Sequence, residues 1–340
     1  MKKNLLIDFQ NLAFRVFFAI PEKDLLKLED NLYSAISLAI SKFYYQFNPD
    51  KVVFCFDSTS WRKDYLPVYK ANRIGMFKKT EGQEKEEQEL IFGVIDKFKE
   101  FFEKTNVYVL KHDRAESDDL IALWCESHKE DKNIIVSNDS DFYQLLSDST
   151  IIFNPSNEMI ISNKGVYDLQ YSPQQFTLDN NGKVKIGKED GIQISDLDNW
   201  IDFTLFVKLI RGDTSDNIFP SYPGVRMKSS SKKVGIMEAF KGRKEKNFDY
   251  LNFMESEWDD HEGNKRIVKE EFEKNNTLIN LRAQPEDIKK DFNDYIKLYE
   301  NSKIPNTMVG VKVMRFVNEH NIETVEGSIE GFAEIFNKNE

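Results

Sequence analysis

The chain has 340 residues, 40% hydrophobic and 31% charged, with a formal net charge of −11. That is enough for one large or two modest globular domains, and it excludes collagen-like and Pro/Gly-rich disordered classes. No apolar run approaches the ~18 residues that span a bilayer, and the N-terminal MKKNLLIDFQ meets an acid too early for a signal-peptide core. The two cysteines, Cys55 and Cys125, lack metal-ligand spacing, so a reducing, cytoplasmic setting is expected.

Three short apolar runs each lead into an acid. Residues 5–7 precede Asp8, residues 52–56 precede Asp57, and residues 134–136 lead through Ser137 and Asn138 to Asp139. Residues 107–110 form a fourth candidate strand. Continuous apolar runs suit strands buried on both faces of a parallel sheet. Helix-length stretches lie between them, at 31–46, 88–104 and 116–128. The alternation predicts an α/β fold with a mainly parallel central sheet flanked by helices. In such sheets the crevice lies outside the carboxyl ends of the strands, where these aspartates fall.

Residues 61–79 interrupt the pattern. Arg62, Lys63, Lys70, Arg73, Lys78 and Lys79 outweigh Asp64, and Trp61, Tyr65 and Tyr69 are interleaved with them. A solvated charged face is the plain reading of such a run. Cations for phosphates and rings for bases are also what a single nucleic-acid strand needs. Residues 151–200 carry turn signals and short β-like pieces, which predicts hairpins or an irregular insertion. Residues 201–211 read as an amphipathic helix stopped by Gly212, and residues 241–340 are charged and mainly helical in period. The expected division is an α/β domain over 1–200, including an arch over 58–90, and a helical region over 201–340.

Four acidic clusters stand out: Asp8 with Asp57; Glu116, Asp118 and Asp119; Asp139 and Asp141; and Asp213 with Asp216. Glu116 and Asp119 share a helix face, as do Asp213 and Asp216, and the period-2 spacing lets Asp139 and Asp141 point the same way from an extended segment. Any one pair is an ordinary turn or helix-start feature. Brought to one edge, they form a different object. Two like charges ~4 Å apart repel by roughly 4 kcal/mol at an effective dielectric of ~20, so up to nine carboxylates demand protons or divalent cations. Oxygen-only ligands suit Mg²⁺ or Mn²⁺, and two such ions make a phosphodiester hydrolysis site. The four histidines are scattered, and no Gly-rich phosphate loop with a following Lys-Ser/Thr exists.

In this order the motifs resemble the 5′-nuclease (flap endonuclease) superfamily. The set is Asp8; Asp57 followed by Trp61-Arg62 and by Tyr69-Lys70-Ala71-Asn72-Arg73; Glu116-Ser117-Asp118-Asp119; Asp139-Ser140-Asp141-Phe142; and Gly212-Asp213-Thr214-Ser215-Asp216-Asn217. Within the family the sequence is most similar to the RNase H-type 5′→3′ exonucleases of T-even-type bacteriophages. That likeness rests on Trp61-Arg62-Lys63-Asp64-Tyr65, on Tyr69-Lys70 through Arg73-Ile74-Gly75, and on residues 139–145.

The resemblance implies roles. Asp57, Glu116, Asp118, Asp119 and Asp139 would hold a first Mg²⁺, with Asp8 behind them. Asp141, Asp213 and Asp216 would hold a second, and Mn²⁺ would substitute. Lys70 and Arg73 would lie on the arch helix at the scissile phosphate, supported by Arg62, with Trp61 and Tyr69 on the nucleic acid. The family's Gly-rich duplex-binding hairpin is replaced here by residues 219–233, of which Pro223-Gly224-Val225 alone matches its start. Arg226, Lys228, Lys232 and Lys233 would bind the duplex there, because 208–233 holds six bases and two acids. The implied protein is a monomeric nuclease of DNA and RNA·DNA duplexes with a 5′ end or flap. It would remove RNA primers on the lagging strand in a phage-infected host cytoplasm, with a single-stranded-DNA-binding protein or sliding clamp as possible partner. Its rivals are a PIN-type endoribonuclease and a non-catalytic flap- or junction-binding protein.

Overall fold

The computed structural model describes residues 1–22, 24–72, 82–187, 190–322 and 329–338. Arg73, Lys78 and Lys79 of the expected arch lie outside the described residues. The first elements are β1 (Lys3–Asp8), α1 (Phe9–Ala19), α2 (Leu25–Phe47), β2 (Lys51–Cys55), α3 (Arg62–Tyr65), α4 (Gln83–Glu103), β3 (Tyr108–Leu110), α5 (Ser117–Ser127) and β4 (Lys132–Val136). There follow β5 (Thr150–Asn154), β6 (Met159–Ser162), β7 (Gly165–Tyr167) and β8 (Pro173–Gln174), and then a small sheet of β9 (Phe176–Leu178), β10 (Val184–Ile186) and β11 (Ile192–Gln193).

The main sheet runs β3-β2-β1-β4-β5-β6-β7-β8. β1 pairs in parallel with both β2 and β4, and β6 to β8 continue as antiparallel hairpins. Chain order reverses between β1 and β4, which places a crevice above those two strands.

Side chains alternate across the sheet. Leu5 and Ile7 face one layer, where α1, α2 and α4 pack through Phe9, Ile36, Ile40, Phe98 and Phe102. Leu6 and Ile135 face the other, with Leu120 and Trp124 of α5. The helices after residue 200 cover both layers. α6 (Trp200–Arg211), α7 (Ile236–Gly242), α8 (Phe248–Met254), α9 (Val268–Ile279) and α10 (Glu286–Ser302) join the second, while α11 (Val309–Glu319) and α12 (Ile329–Asn337) join the first. There Phe316 stacks on Phe101 with centroids 4.1 Å apart. Among the described residues, no helix is long and apolar enough to cross a membrane.

Three local expectations need correction. Helix α2 starts at Leu25 rather than 31, because Asp24 caps it, accepting from the Leu26 and Lys27 amides at 3.1 and 3.2 Å. Asp139 and Asp141 are not on an extended segment. Asp139 caps a 3₁₀ turn, Ser140–Leu145, and accepts from the Asp141 amide at 2.9 Å. The helical C-terminal stretch also contains a hairpin, Glu257–Asp259 with Lys265–Ile267, turned at Gly263 with φ +83°.

Candidate active site

Each acid is set by a backbone feature. Asp8 ends β1 and caps α1, accepting from the Asn11 amide at 3.2 Å. Asp57 follows β2 and accepts from the Ser117 amide at 2.8 Å, which ties that strand end to the start of α5. Glu116 and Asp119 form a capping box at that start. Asp213 caps a second 3₁₀ turn, Thr214–Asp216, and accepts from Ser215 N at 2.9 Å. Gly212 makes this turn possible. Its φ is +65°, and a Cβ there would sit 2.4 Å from the Ile218 carbonyl oxygen.

These elements bring Asp8, Asp57, Glu116, Asp118, Asp139, Asp141, Asp213 and Asp216 onto one cleft of about 800 Å³ at the crevice above β1 and β4. Lys70 lines the same cleft. Asp119 does not: it is fully buried beneath the others.

The electrostatics divide the acids into two groups. Burial first, then Asp57 and Asp139, raise the Asp8 carboxyl to about 8. Burial also lifts Asp118 well above the ordinary range. Desolvation in the crowded cleft, followed by the Asp141 charge, raises Asp139 to about 6, although its side chain still opens to the cavity. Glu116 behaves oppositely. Burial opposes its ionisation, but Lys70 and Arg62 outweigh it and hold the carboxyl at about 2. Asp213 is likewise held at about 2, its desolvation outweighed by Lys208 and Ser215.

Arg62 explains much of this pattern. Its guanidinium is buried and donates to Glu116 Oε2 at 3.0 Å and to both Asp119 oxygens at 2.9 Å. Its Nε donates to the Leu278 carbonyl at 2.7 Å. Trp61 Nε1 and Gln284 Nε2 complete Asp119 at 3.2 and 2.8 Å, and the Tyr69 hydroxyl donates to Glu116 at 2.9 Å. Three sequence assignments are therefore corrected. Arg62 faces inward as the counter-ion of Glu116 and Asp119 and presents no donor to a phosphate. Trp61 and Tyr69, 1% and 3% exposed, offer no ring face to a base.

Lys70 is not on a helix. It sits in a turn with φ +54°, its amide bonded to the Asp216 carbonyl at 3.0 Å and its ammonium between Glu116 and Asp216. Asn72 Nδ2 donates to the Thr214 and Ser215 carbonyls, both at 3.2 Å, and Asn217 Nδ2 to the Val68 carbonyl at 2.9 Å. Residues 68–72 are thus stitched to the turn that carries Asp213 and Asp216.

Arg226, Lys228, Lys232 and Lys233 are exposed on an ordered loop. Backbone bonds from Ile236 N to the Arg226 carbonyl at 3.1 Å and from Met237 N to the Met227 carbonyl at 2.9 Å anchor it, and Ser229 donates to Glu238.

One cleft residue escaped the motif reading. Lys208 of α6 bridges Asp141 and Asp213, and both hold it charged against the burial that opposes this. Its spacing, one helical turn before Gly212, was the available signal. Oxygens of Glu116, Asp118 and Asp119 lie within 4.8 Å of one another. Arg62 and Lys70 already meet the charge of the outer two. Asp118, with Asp8, Asp57 and Asp139, is left as the acidic wall open to a cation.

The family model for the 5′–3′ exonuclease N-terminal resolvase-like domain matches residues 3–171. The N-terminal half of the chain carries this 5′-nuclease family domain. DNA polymerase I of Bacillus subtilis (strain 168) is 28% identical to this protein over 237 residues, which is 68% of this chain and 23% of that protein. DNA polymerase I of Mycobacterium tuberculosis (strain H37Rv) is 26% identical over 235 residues, 67% of this chain and 22% of that protein. The chain thus spans under a quarter of the length of these relatives. Among solved structures, the bacteriophage T5 flap endonuclease in complex with DNA and metal ions matches with a TM-score of 0.57 at 19% identity, covering 88% of this chain and 100% of that one. The T5 5′-exonuclease with bound zinc ions matches with a TM-score of 0.57 at 18% identity, covering 88% and 100%. These two likenesses are of fold.

Proposed function

We propose that this protein is a divalent-metal-dependent 5′→3′ exonuclease and flap endonuclease that hydrolyses phosphodiesters of DNA and RNA·DNA duplexes at a free 5′ end or flap. The observation that carries this reading is the convergence of eight carboxylates on one cleft, where desolvation and neighbouring carboxylates raise Asp8 to about 8 and Asp139 to about 6. Those protons mark negative charge that the protein's own cations leave uncompensated. The donors are carboxylate oxygens, and among the described residues neither His nor Cys lines the cleft, so the set fits a hard cation such as Mg²⁺, with Mn²⁺ as substitute.

Asp57, Asp118 and Asp139, with Asp8 behind them, would hold one ion, and Asp141, Asp213 and Asp216 the other. Such ions supply charge neutralisation, an activated water and stabilisation of the leaving oxygen. The chain's own residues do the rest. The Arg62–Glu116–Asp119 network keeps Asp118 in place. Lys70, at the rim, can turn from Glu116 and Asp216 toward an incoming phosphate. Lys208 holds Asp141 and Asp213 together and would yield them to a bound cation. Arg226, Lys228, Lys232 and Lys233 give an otherwise acidic protein a cationic surface for duplex phosphates. The reading extends to removal of RNA primers and adjacent DNA on the lagging strand of a phage replisome.

The test uses 5′-labelled flap, nicked and RNA-primed duplexes with and without Mg²⁺. Asp139→Asn should lower single-turnover cleavage by about a hundredfold or more while flap binding, measured in Ca²⁺, persists. Wild-type cleavage by this variant at saturating Mg²⁺ overturns the assignment.

A further inference from the structure

A second charged cavity lies at the opposite edge of the sheet. It has a volume of about 150 Å³ and is lined by Asp50, Lys51, Tyr108, Glu300, Lys303 and Lys338 among others. Lys51 opens β2, whereas Asp57 follows that strand's far end, so the sheet separates this cavity from the acidic cleft. We propose that the cavity is a binding site for a phosphate-sized oxyanion, taken as the free ion or as a phosphate monoester.

Three ammonium groups reach the cavity from three separate elements, and their partners are unequal. Lys51 pairs with Glu300 at 3.2 Å, and the same carboxylate oxygen is shared with His128 Nε2 at 3.1 Å. Asp50 Oδ2 accepts from the Lys3 amide at 2.7 Å. Lys303, just past α10, donates to the Val107 carbonyl and lies 4.6 Å from the Tyr108 ring centre and 5.5 Å from that of Tyr299. Lys338, just past α12, donates to the Pro49 carbonyl at 2.6 Å. Neither Lys303 nor Lys338 has a carboxylate partner among the described residues. Burial accordingly pushes the Lys303 ammonium down to about 8, with no opposing charge to restore it.

A half-buried ammonium that touches only carbonyls and ring faces is a costly arrangement unless an anion completes it. Lysines bind phosphate as point charges, and convergence from several directions suits a tetrahedral oxyanion. The frame is also fixed. Asn306 N donates to Asn106 Oδ1 at 2.7 Å, Asn306 Nδ2 to the Thr105 carbonyl at 2.6 Å, and the Tyr299 hydroxyl accepts from the Val109 amide at 3.0 Å. These bonds pin the segment that carries Lys303 to residues 105–109 beside the cavity.

The experiment is calorimetric titration of the full chain with inorganic phosphate, and separately with dTMP, in EDTA, where the acidic cleft repels anions. Binding by both probes indicates that the site accepts a phosphate monoester, and binding by phosphate alone indicates the free ion. A Lys303→Met, Lys338→Met double variant should bind at least about tenfold more weakly while its Mg²⁺-dependent flap cleavage is unchanged. Lys338→Ala, at a half-exposed position after the last helix, should weaken binding in the same direction and supplies the test if the double variant fails to fold. Absence of binding by wild-type protein up to about 10 mM of either probe, or equal binding by folded variants, overturns the proposal.

Discussion

Replacing Arg62 with methionine separates a structural role for this residue from a substrate-binding one. The side chain is 2% exposed, and its guanidinium makes three charge-assisted hydrogen bonds to two carboxylates, at 3.0, 2.9 and 2.9 Å. Methionine keeps the apolar volume beside Trp61 but leaves Asp119, which is fully buried, with the neutral donors Trp61, Gln284 and the Glu116 amide. Breaking a buried pair from one side costs about 3–5 kcal/mol, because the remaining charge stays desolvated. Urea denaturation at pH 7 should show a loss of that size. Adding Asp119→Asn removes the stranded charge, so the double variant should recover of order 1–2 kcal/mol relative to additivity. A loss below about 1 kcal/mol, or strict additivity, refutes the buried-pillar account. So does an Arg62→Met protein of wild-type stability that no longer cleaves, which would return Arg62 to the substrate.

In the absence of divalent cations, stability should fall as pH rises. The folded state keeps protons on Asp139 to about 6 and on Asp8 to about 8, while the unfolded chain loses them near 3.8. The contribution is therefore full below the ordinary carboxylate range and is lost on climbing toward pH 8. Thermal melts in EDTA should show this slope, and Mg²⁺ should flatten it; a slope unaffected by Mg²⁺ counts against cation binding at these acids. Lys70→Ala should slow single-turnover cleavage more than it weakens binding in Ca²⁺, and equal losses would reassign Lys70 to general attraction. Gly212→Ala forces a Cβ to 2.4 Å from the Ile218 carbonyl oxygen, so it should cost about 2 kcal/mol or more in urea unfolding and displace the Asp213 turn. Unchanged stability would show that the turn tolerates the added carbon.

Four of the sheet's five parallel strands are readable because the sheet is covered on both sides, leaving uninterrupted apolar runs, whereas β5 reads as part of a hairpin or irregular insertion and instead pairs in parallel with β4. The acids at the ends of those runs were readable for the same reason. Burial in the arch segment was not. A basic, aromatic stretch looks alike whether it faces a nucleic acid or a pair of buried carboxylates. What decides between them is contact with Glu116 and Asp119 and with the Leu278 carbonyl, 216 residues from Arg62. Lys208 was obscure on similar grounds, since its partners Asp141 and Asp213 lie on separate turns. The hairpin at 257–267 hid in a charged, helix-like composition, and its tertiary contact, Trp258 Nε1 on the Ser221 carbonyl at 2.9 Å, is invisible in the local sequence.

The stitching between residues 68–72 and the Asp213–Asp216 turn makes a mechanical linkage. Among the described residues, four hydrogen bonds to backbone carbonyls join residues 68–72 to residues 214–217, and at about 1 kcal/mol each they would together resist separation by several kcal/mol. On the proposed function, a strand pulling on residues 68–72 therefore pulls on the turn that carries Asp213 and Asp216. On that same function, tension on a bound strand and the position of Asp213 and Asp216 become a single mechanical variable.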